Sequence, residues 1–568
     1  MKKLLTLIAL TSLFCCHLQA FGTHDILHTQ SPSEPPLREM RAVWLTTIGG
    51  IDWPHSYSQS AVSARKQQAE FCTILDNLAK AGINTVLLQT RIRATTIFQS
   101  DLEPWDGCLS GFPGKSPGYD ALAFAIEECH KRGMKLHAWI VTIPVGKWNG
   151  TGCKALRKSH PELLKRIGDE GFMNPESSMV GDYLAAFCKD IVSRYDVDGI
   201  HLDYIRYPET WKVIKDKEEG RRNITSIVRK ISHEVKQQKP WVMMSCSPVG
   251  KYADTKRSWS HGWNARDIVC QDAVLWLQEG LMDCLFPMMY FRGENFYPFA
   301  IDWKERSNGR IITPGLGIYF LSPREKNWAL EDITREMHVL RQYDMGVCMF
   351  RSKFFTDNTK GLYDYTAGTF SPLPALQPAM TWYDTPAPSA PLSITKRQNS
   401  DGSIRLSWSE SPSTDGNAMH YNIYGDTTFP VDTRKASNLL MADYRDTIAS
   451  IPMPGNVIYY AVTATDRYGN ESEPIQTDSH NANAEQQDTK MPLEYSDGRI
   501  ILEGYDVTEG QLTEIRTIMG NRIALSTVQR KGDKTYILAP SLPAGHYSLY
   551  FINRKNHSHK LGLFSIAP

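Results

Sequence analysis

Most of the common functional signatures are missing from this chain. Beyond its first 20 residues, no apolar run approaches the roughly 20 residues that a membrane helix requires. Lysine and arginine total 63 against 62 aspartates and glutamates, a formal net charge of +1, which excludes an electrostatic nucleic-acid binder. There is no phosphate-cradling glycine loop, dinucleotide fingerprint, serine nucleophile elbow or histidine pair at ligand spacing. The expectation is a protein that works without cofactor or metal. Cysteine stops at Cys348. Of the 11 in the chain two lie in the leader, and the remaining nine form no ligand cluster and cannot all pair within one molecule. Cys246, Cys284 and Cys348 fall in apolar runs and read as buried free thiols.

What the chain does have is bulk. At 568 residues, 41% hydrophobic and 22% charged, it suits a barrel of roughly 250 to 350 residues followed by smaller modules. Lys2 and Lys3 precede the apolar run Leu4 to Leu13, and Leu18-Gln19-Ala20 supplies a signal-peptidase site, so residues 1–20 read as an export leader. Leu13-Phe14-Cys15-Cys16 is also a loose lipobox with Cys16 as the lipidated residue. Two readings stand: release into the periplasm, or anchoring through Cys16 as an outer-membrane or cell-surface lipoprotein.

From Arg41 to about Phe355, strand-like runs alternate with helical ones. Strands are predicted at Arg41 to Thr47, Asn84 to Gln89, Lys135 to Val141, Gly199 to Tyr204, Val242 to Pro248, Cys284 to Tyr290, Ile311 to Gly317 and Gly346 to Arg351. Eight such runs predict a closed α/β barrel, a (β/α)₈ TIM barrel, within residues 21–370. Helices are predicted at Ser63 to Ala81, Ala121 to Arg132 and Ser178 to Tyr195, the first two stopped by Gly82 and Gly133. The proline-rich stretch 371–391 reads as a linker. Alternating runs over 392–478 read as a β-sandwich, and Trp408, Tyr459, Tyr460 and the ending TATDRYGNESEP resemble a fibronectin type III module. Residues 479–490 read as a second linker, and 491–568 as a small C-terminal all-β sandwich.

The stretch VDGIHLDYIRYP, Val197 to Pro208, carries the chemistry. Ile200 and Leu202 alternate with His201 and Asp203, so Asp203 sits at the exit of a buried strand, where barrel side chains line the active site. Asp203 is either catalytic, or a cap or structural partner of Arg206.

Several segments in order resemble the glycosyl-hydrolase-like family 10 proteins: REMRAVWLTT (Arg38 to Thr47), INTVLLQTRIRATTIF (Ile83 to Phe98), EPW (Glu103 to Trp105), YDALAFAIEECHKRGMKLHAWI (Tyr119 to Ile140), HPELL (His160 to Leu164), MNPESSMVGDYL (Met173 to Leu184), VDGIHLDYIRYP and QDAVLWLQEGLMDCLFPMMYF (Gln271 to Phe291). The resemblance covers Arg38 to about Arg351. It implies a (β/α)₈ glycosidase acting on polysaccharide, with some relatives cleaving peptide-free peptidoglycan strands in the bacterial cell envelope. Many relatives carry two consecutive acids at the fourth strand end, where this chain has Asp203 and then Tyr204.

Glycoside hydrolysis generally needs two carboxyl groups across the scissile bond. Asp203 is the first candidate, and Glu294, after the sixth strand, is the expected partner, with pairing to Arg292 or solvent as its alternative. Asp52 follows, and Asp101, Glu103, Asp267 and Asp272 are weaker. Sugars stack on aromatic rings and hydrogen-bond to amides and guanidinium groups, so Asp52, Trp53, Gln89, Arg91, His137, Trp139, Tyr204, Arg206 and Tyr290 are the candidate substrate-binding residues. An arginine fork also suits the lactyl carboxylate of muramic acid. The expected activity is exported glycoside hydrolysis of a polysaccharide, peptidoglycan glycan strands foremost. A surface glycosidase for nutrient polysaccharides and a non-catalytic glycan-binding protein are the alternatives.

Overall fold

The computed structural model describes residues 34–211, 216–259, 262–383, 385–412, 418–452, 455–477, 493–502, 510, 512–517, 522–531, 534–539, 542–552 and 558–566. The leader and Cys16 lie outside the described residues. Two compact units divide the chain, residues 1–479 and 480–568.

The first unit is built on one parallel sheet of ten short strands: β1 (Arg41–Leu45), β2 (Thr85–Arg91), β3 (Lys135–Val141), β4 (Gly199–Asp203), β5 (Met243–Cys246), β6 (Cys284–Leu285), β7 (Met288–Met289), β8 (Ile311–Ile312), β9 (Gly315–Leu316) and β10 (Val347–Met349). Neighbouring strands pair in chain order from β1 to β6; β6 then pairs with β8, β7 with β9, β9 with β10, and β10 returns to β1. Strands β6 and β7 are two halves of one run, split around Pro287, and β8 and β9 are likewise split before Gly315 by Pro314. Proline has no N–H for the ladder, so each run breaks there. Counted as runs, eight strands form a closed ring of parallel pairs, which is TIM-barrel-like.

Among the described residues, helices connect these runs: α1 (Ala61–Lys80), α2 (Ala121–His130), α3 (Ser178–Arg194), α4 (Lys217–Gln238), α5 (Ala273–Gln278), α6 (Tyr297–Glu305) and α7 (Leu330–Gln342), with further ones at Gly107–Ser110 and Thr151–Ser159. Local sequence sets their ends. Ser60 and Ser63 form a reciprocal capping box at the start of α1, Asp120 Oδ1 accepts from Ala123 N at 2.9 Å at the start of α2, and Gly82 and Gly133 follow the two helices at positive φ. Alternate strand residues serve different cores. Ala42 and Trp44 join Leu87, Trp139 and Phe286 inside the ring, whereas Val43, Leu45, Val86 and Leu88 face the helices. A Cβ on Gly315 would lie 2.7 Å from the Trp44 ring, so glycine makes room for that side chain. All nine cysteines from Cys72 to Cys348 are free, and all but Cys72 are buried.

The proline-rich segment packs along the amino-terminal ends of the strands. Leu373 O accepts from Arg41 Nη1 at 2.7 Å, Ala375 O from Asn84 Nδ2 at 3.0 Å, and Trp382 Nε1 and Tyr383 Oη donate to Asp283 Oδ1 at 3.0 and 2.9 Å. A sandwich follows, with a three-stranded antiparallel sheet (Ile394–Gln398, Ile404–Trp408, Ile448–Ile451) and a four-stranded one (Leu439–Tyr444, His420–Asp426, Tyr459–Thr465, Ile475–Gln476). Trp408 packs edge-on to Tyr421 in its core. Ions join this sandwich to the barrel end: Asp443 Oδ1 accepts from Lys135 Nζ at 2.6 Å, Arg445 lies 3.3 Å from Asp198, and Arg467 lies 2.6 Å from Asp196. The second unit contains a seven-stranded antiparallel sheet over its own core of Ile500, Ile515, Val528, Ile537, Leu549 and Phe564.

Candidate active site

Strand β4 ends on Asp203, which is buried. Its Oδ2 accepts from Trp139 Nε1 at 3.0 Å; its Oδ1 accepts from Ser247 Oγ and from Tyr204 N, both at 2.8 Å. Thr142 holds the strand end by donating N–H and Oγ1–H to the Asp203 carbonyl at 2.9 and 2.7 Å. Burial pushes the Asp203 carboxyl up from its ordinary value. The three hydrogen bonds and the Arg206 charge pull it down but do not cancel the loss of hydration. A carboxyl raised in this way is suited to carrying a proton to a leaving group. The chain then turns sharply, with Tyr204 at φ 53°, a conformation costly for a side chain larger than glycine.

Two aromatic groups flank this acid. Tyr290, half-buried after β7, stacks on Phe350 at 5.2 Å with the planes 27° apart and meets Tyr319 edge-on at 5.9 Å. Burial, with the charge of Asp203 nearby, holds its phenol far above the ordinary value, so it stays a neutral hydroxyl. On the other flank Arg206 lies over the Tyr204 ring at 4.8 Å and the Trp263 ring at 5.4 Å, while its Nη2 donates to Glu209 Oε1 at 2.7 Å.

Beneath Asp203 the interior is polar but closed. Trp44 Nε1 donates to His201 Nε2 at 3.2 Å, which leaves His201 Nδ1–H to donate to Ser245 Oγ at 3.1 Å. His201 is a neutral imidazole, its basicity driven well down by burial and by neighbouring His137. His137 lies deeper still: it pairs in register with Gly199, four residues before the level of Asp203, or ~13 Å along the strand. Burial lowers it to about 4. A Cβ at Gly199 would sit 2.6 Å from its ring, so that glycine gives the imidazole its space.

The other expected binding residues hold the scaffold. Asp52 Oδ2 accepts from Thr46 N at 2.9 Å and Thr46 Oγ1 at 2.6 Å, and its Oδ1 from Arg351 Nη1 and from Lys353 N, tying the ends of β1 and β10 together. Trp53 is fully buried, with Nε1 on Gln67 O at 2.9 Å and its ring 4.8 Å from Phe71. Gln89 Oε1 accepts from Thr47 N and Ile48 N at 3.1 and 2.9 Å. Arg91 is fully buried against Glu103, with Nε and Nη2 contacts of 2.6 to 2.9 Å, and its Nη1 donates to Thr142 O at 2.9 Å. Glu294 is exposed on the short turn Gly293–Asn295 after β7. Of the expected set, Asp203, Trp139, Tyr204, Arg206 and Tyr290 thus converge at the strand ends. Of the weaker acid candidates, Glu103 holds Arg91, Asp267 lies 2.8 Å from Arg266, Asp272 accepts from Tyr252 Oη at 2.6 Å, and Asp101 is exposed.

Ser247 and Trp263 are additions that the sequence reading lacks. Ser247 had a signal, since Ser245 and Ser247 alternate on one face of a strand run as His201 and Asp203 do. Trp263 had none, because nothing local ties its loop to Arg206. Among the described residues no group of three His, Cys, Asp or Glu side chains is placed to hold a metal ion.

Residues 39–319, from β1 through the turn after β9, match the family described as glycosyl hydrolase-like 10. The glycosyl hydrolase YngK of Bacillus subtilis (strain 168) is 28% identical over 476 residues, covering 77% of this chain and 92% of that protein. An alpha-L-fucosidase isoenzyme 2 from Paenibacillus thiaminolyticus is similar in structure at a TM-score of 0.40 and 10% identity, covering 91% of this chain and 93% of that one. The glycosyl hydrolase DigH of Escherichia coli (strain K12) is 32% identical over 305 residues, which make up 48% of this chain and 69% of that relative. The family match over residues 39–319 and the 32% identity across more than two thirds of DigH make the chain a member of the glycosyl hydrolase-like 10 family.

Proposed function

We propose that this protein is an exported glycoside hydrolase that cleaves glycosidic bonds in a polysaccharide, with bacterial cell-wall peptidoglycan strands as its substrate. The observation that carries the reading is Asp203, a buried carboxyl with raised proton affinity at a barrel mouth, between Trp139, Tyr290 and the Tyr204–Arg206 stack. Asp203 protonates the leaving oxygen as the glycosidic bond breaks, and the anomeric carbon takes its new bond from the second carboxylate or from a water that this carboxylate deprotonates. The second carboxyl is assigned to Glu294, whose position on an exposed turn requires that turn to close over bound glycan. The leader and Cys16 fit delivery to the periplasm or to a surface lipoprotein. The three-plus-four antiparallel sheets around Trp408 support a fibronectin type III module that positions the barrel.

The test is product analysis by mass spectrometry after incubating the native protein and Asp203→Asn with peptide-free peptidoglycan strands and with neutral polysaccharides. Loss of the general acid is expected to lower kcat by about 10² to 10⁴-fold while binding persists. Equal turnover by the variant removes Asp203 from the reaction. Cleavage of a neutral polysaccharide instead assigns the enzyme to nutrient degradation. A second reading, a non-catalytic glycan-binding protein, draws on Tyr204, which stands directly after Asp203 where the family resemblance implies a second acid. Binding without cleavage of any glycan selects it.

A further inference from the structure

Next to Asp203 stands a stack of side chains that proton transfer does not use. The Arg206 side chain is almost wholly buried; Glu209 and the Tyr207 carbonyl, at 2.7 and 3.3 Å, pin its Nη atoms, and its Nε is buried without a hydrogen bond among the described residues. The guanidinium contacts two rings, Tyr204 at 4.8 Å and Trp263 at 5.4 Å, and so fixes one relative to the other. Both rings remain open to solvent, 39% for Tyr204 and 44% for Trp263. They come from adjoining elements of the mouth. Tyr204 follows Asp203 directly, and Trp263 belongs to the loop after β5, the strand that leads into Ser247.

Large exposed rings held in place by a buried cation are a costly arrangement unless something covers them. The C–H face of a pyranose does so: it stacks on an aromatic ring, while its hydroxyls donate hydrogen bonds to groups such as the half-exposed Glu209 carboxylate. We infer that Tyr204, Arg206 and Trp263 form a subsite for a sugar ring of the glycan beyond the scissile linkage, so that the enzyme prefers long strands and cuts within them. This inference rests on the glycosidase reading of Asp203. Arg206 is a positioning residue here, since it acts through the rings it holds. Trp263 is the specificity residue, because the subsite it builds lies beyond the scissile linkage.

Trp263→Ala is the informative variant, since the residue lies on a solvent-facing loop outside the packed cores. The measurement is kcat/KM on peptide-free peptidoglycan strands fractionated by length, for the native protein, Trp263→Ala and Trp263→Phe. Loss of the ring is expected to reduce kcat/KM about tenfold or more on long strands, chiefly through KM, with little change on the shortest strands that are cut. Trp263→Phe recovers most of the loss. An unchanged long-to-short ratio in Trp263→Ala overturns the subsite. If the native protein cuts no strand, the glycosidase reading fails, and the subsite is judged by binding alone. Calorimetry of the same strands on Asp203→Asn, with and without Trp263→Ala, then supports it through weakened long-strand affinity, and equal binding or none overturns it.

Discussion

A carboxyl that donates a proton near neutrality must be kept uncharged by its surroundings, and three donors at Asp203 work against that. Ser247, Trp139 and the Tyr204 N–H all favour the ionised form, yet burial outweighs them. The balance can be moved by one atom. Ser247→Ala removes a hydrogen bond to the carboxylate, worth about 1.5 kcal/mol or more for a charged acceptor, so the proton affinity of Asp203 rises further. A general acid must be protonated to act, and the alkaline limb of kcat/KM against pH is therefore expected to move upward by about one pH unit. A purely structural Ser247 would lower activity without moving that limb. Asp203 was legible in the sequence because strand alternation and barrel topology together place it at the mouth. Arg91 has the same kind of strand-end position but is bound to Glu103, 12 residues on, through a loop whose path no local pattern reveals. The same holds for Asp52 and Arg351, whose contact exists only because the ring closes β10 on β1.

The strands and helices were more readable than their interruptions. Each barrel strand was a short apolar run between turn signals, and α1 and α2 stop at the glycines that the sequence marks. The small antiparallel sheet of Pro144–Lys147, Leu164–Ile167 and Glu170–Met173 was missed because its four-residue strands carry charge and no clear alternation. Helix α7 carries a further element-scale feature, Glu336, with both oxygens buried and no hydrogen bond among the described residues. Burial, with Asp332 adding repulsion, drives its proton affinity well above the ordinary value of 4.5. The folded protein therefore holds this proton while the unfolded chain releases it. The associated stability is complete below 4.5 and is lost as pH rises towards the folded-state value. Glutamine cannot ionise, so Glu336→Gln should melt higher than the native protein at mildly alkaline pH, with the gap closing on acidification. Each tenfold difference in proton affinity is worth about 1.4 kcal/mol. A gap that stays constant with pH would assign the effect to packing instead of ionisation.

At the scale of the whole first unit, the barrel has a working end and a sealed end. Asp203 and its rings sit at the carboxyl ends of the strands. The segment after Ala367 covers the opposite end, where Met380 joins the interior cluster with Met40, Met243 and Ile311. Composition made that segment look like a tether, because a proline count carries no information about what the chain lies against. The sandwich adds ion pairs between residues far apart in sequence: Asp198, which also accepts from His130 at 2.8 Å, accepts from Arg445 at 3.3 Å, and Asp443, which also accepts from His420 at 2.7 Å, accepts from Lys135 at 2.6 Å. Their basic partners outweigh burial and hold Asp198 and Asp443 well below the ordinary carboxylate value. The stability they contribute is thus present above that value and is lost only as pH falls towards the depressed folded-state values. A chain ending at Ala367 keeps the whole mouth but uncovers Asp283, Asp198 and the apolar end of the ring. It should melt well below a chain ending at Ser479, while the two cleave short glycans with similar kcat per folded molecule. Differential scanning calorimetry with active-site titration separates these quantities. Equal midpoints would mean that the strap and sandwich rest on the barrel without stabilising it, and a low kcat in a fully folded short chain would mean that the sealed end helps shape the mouth.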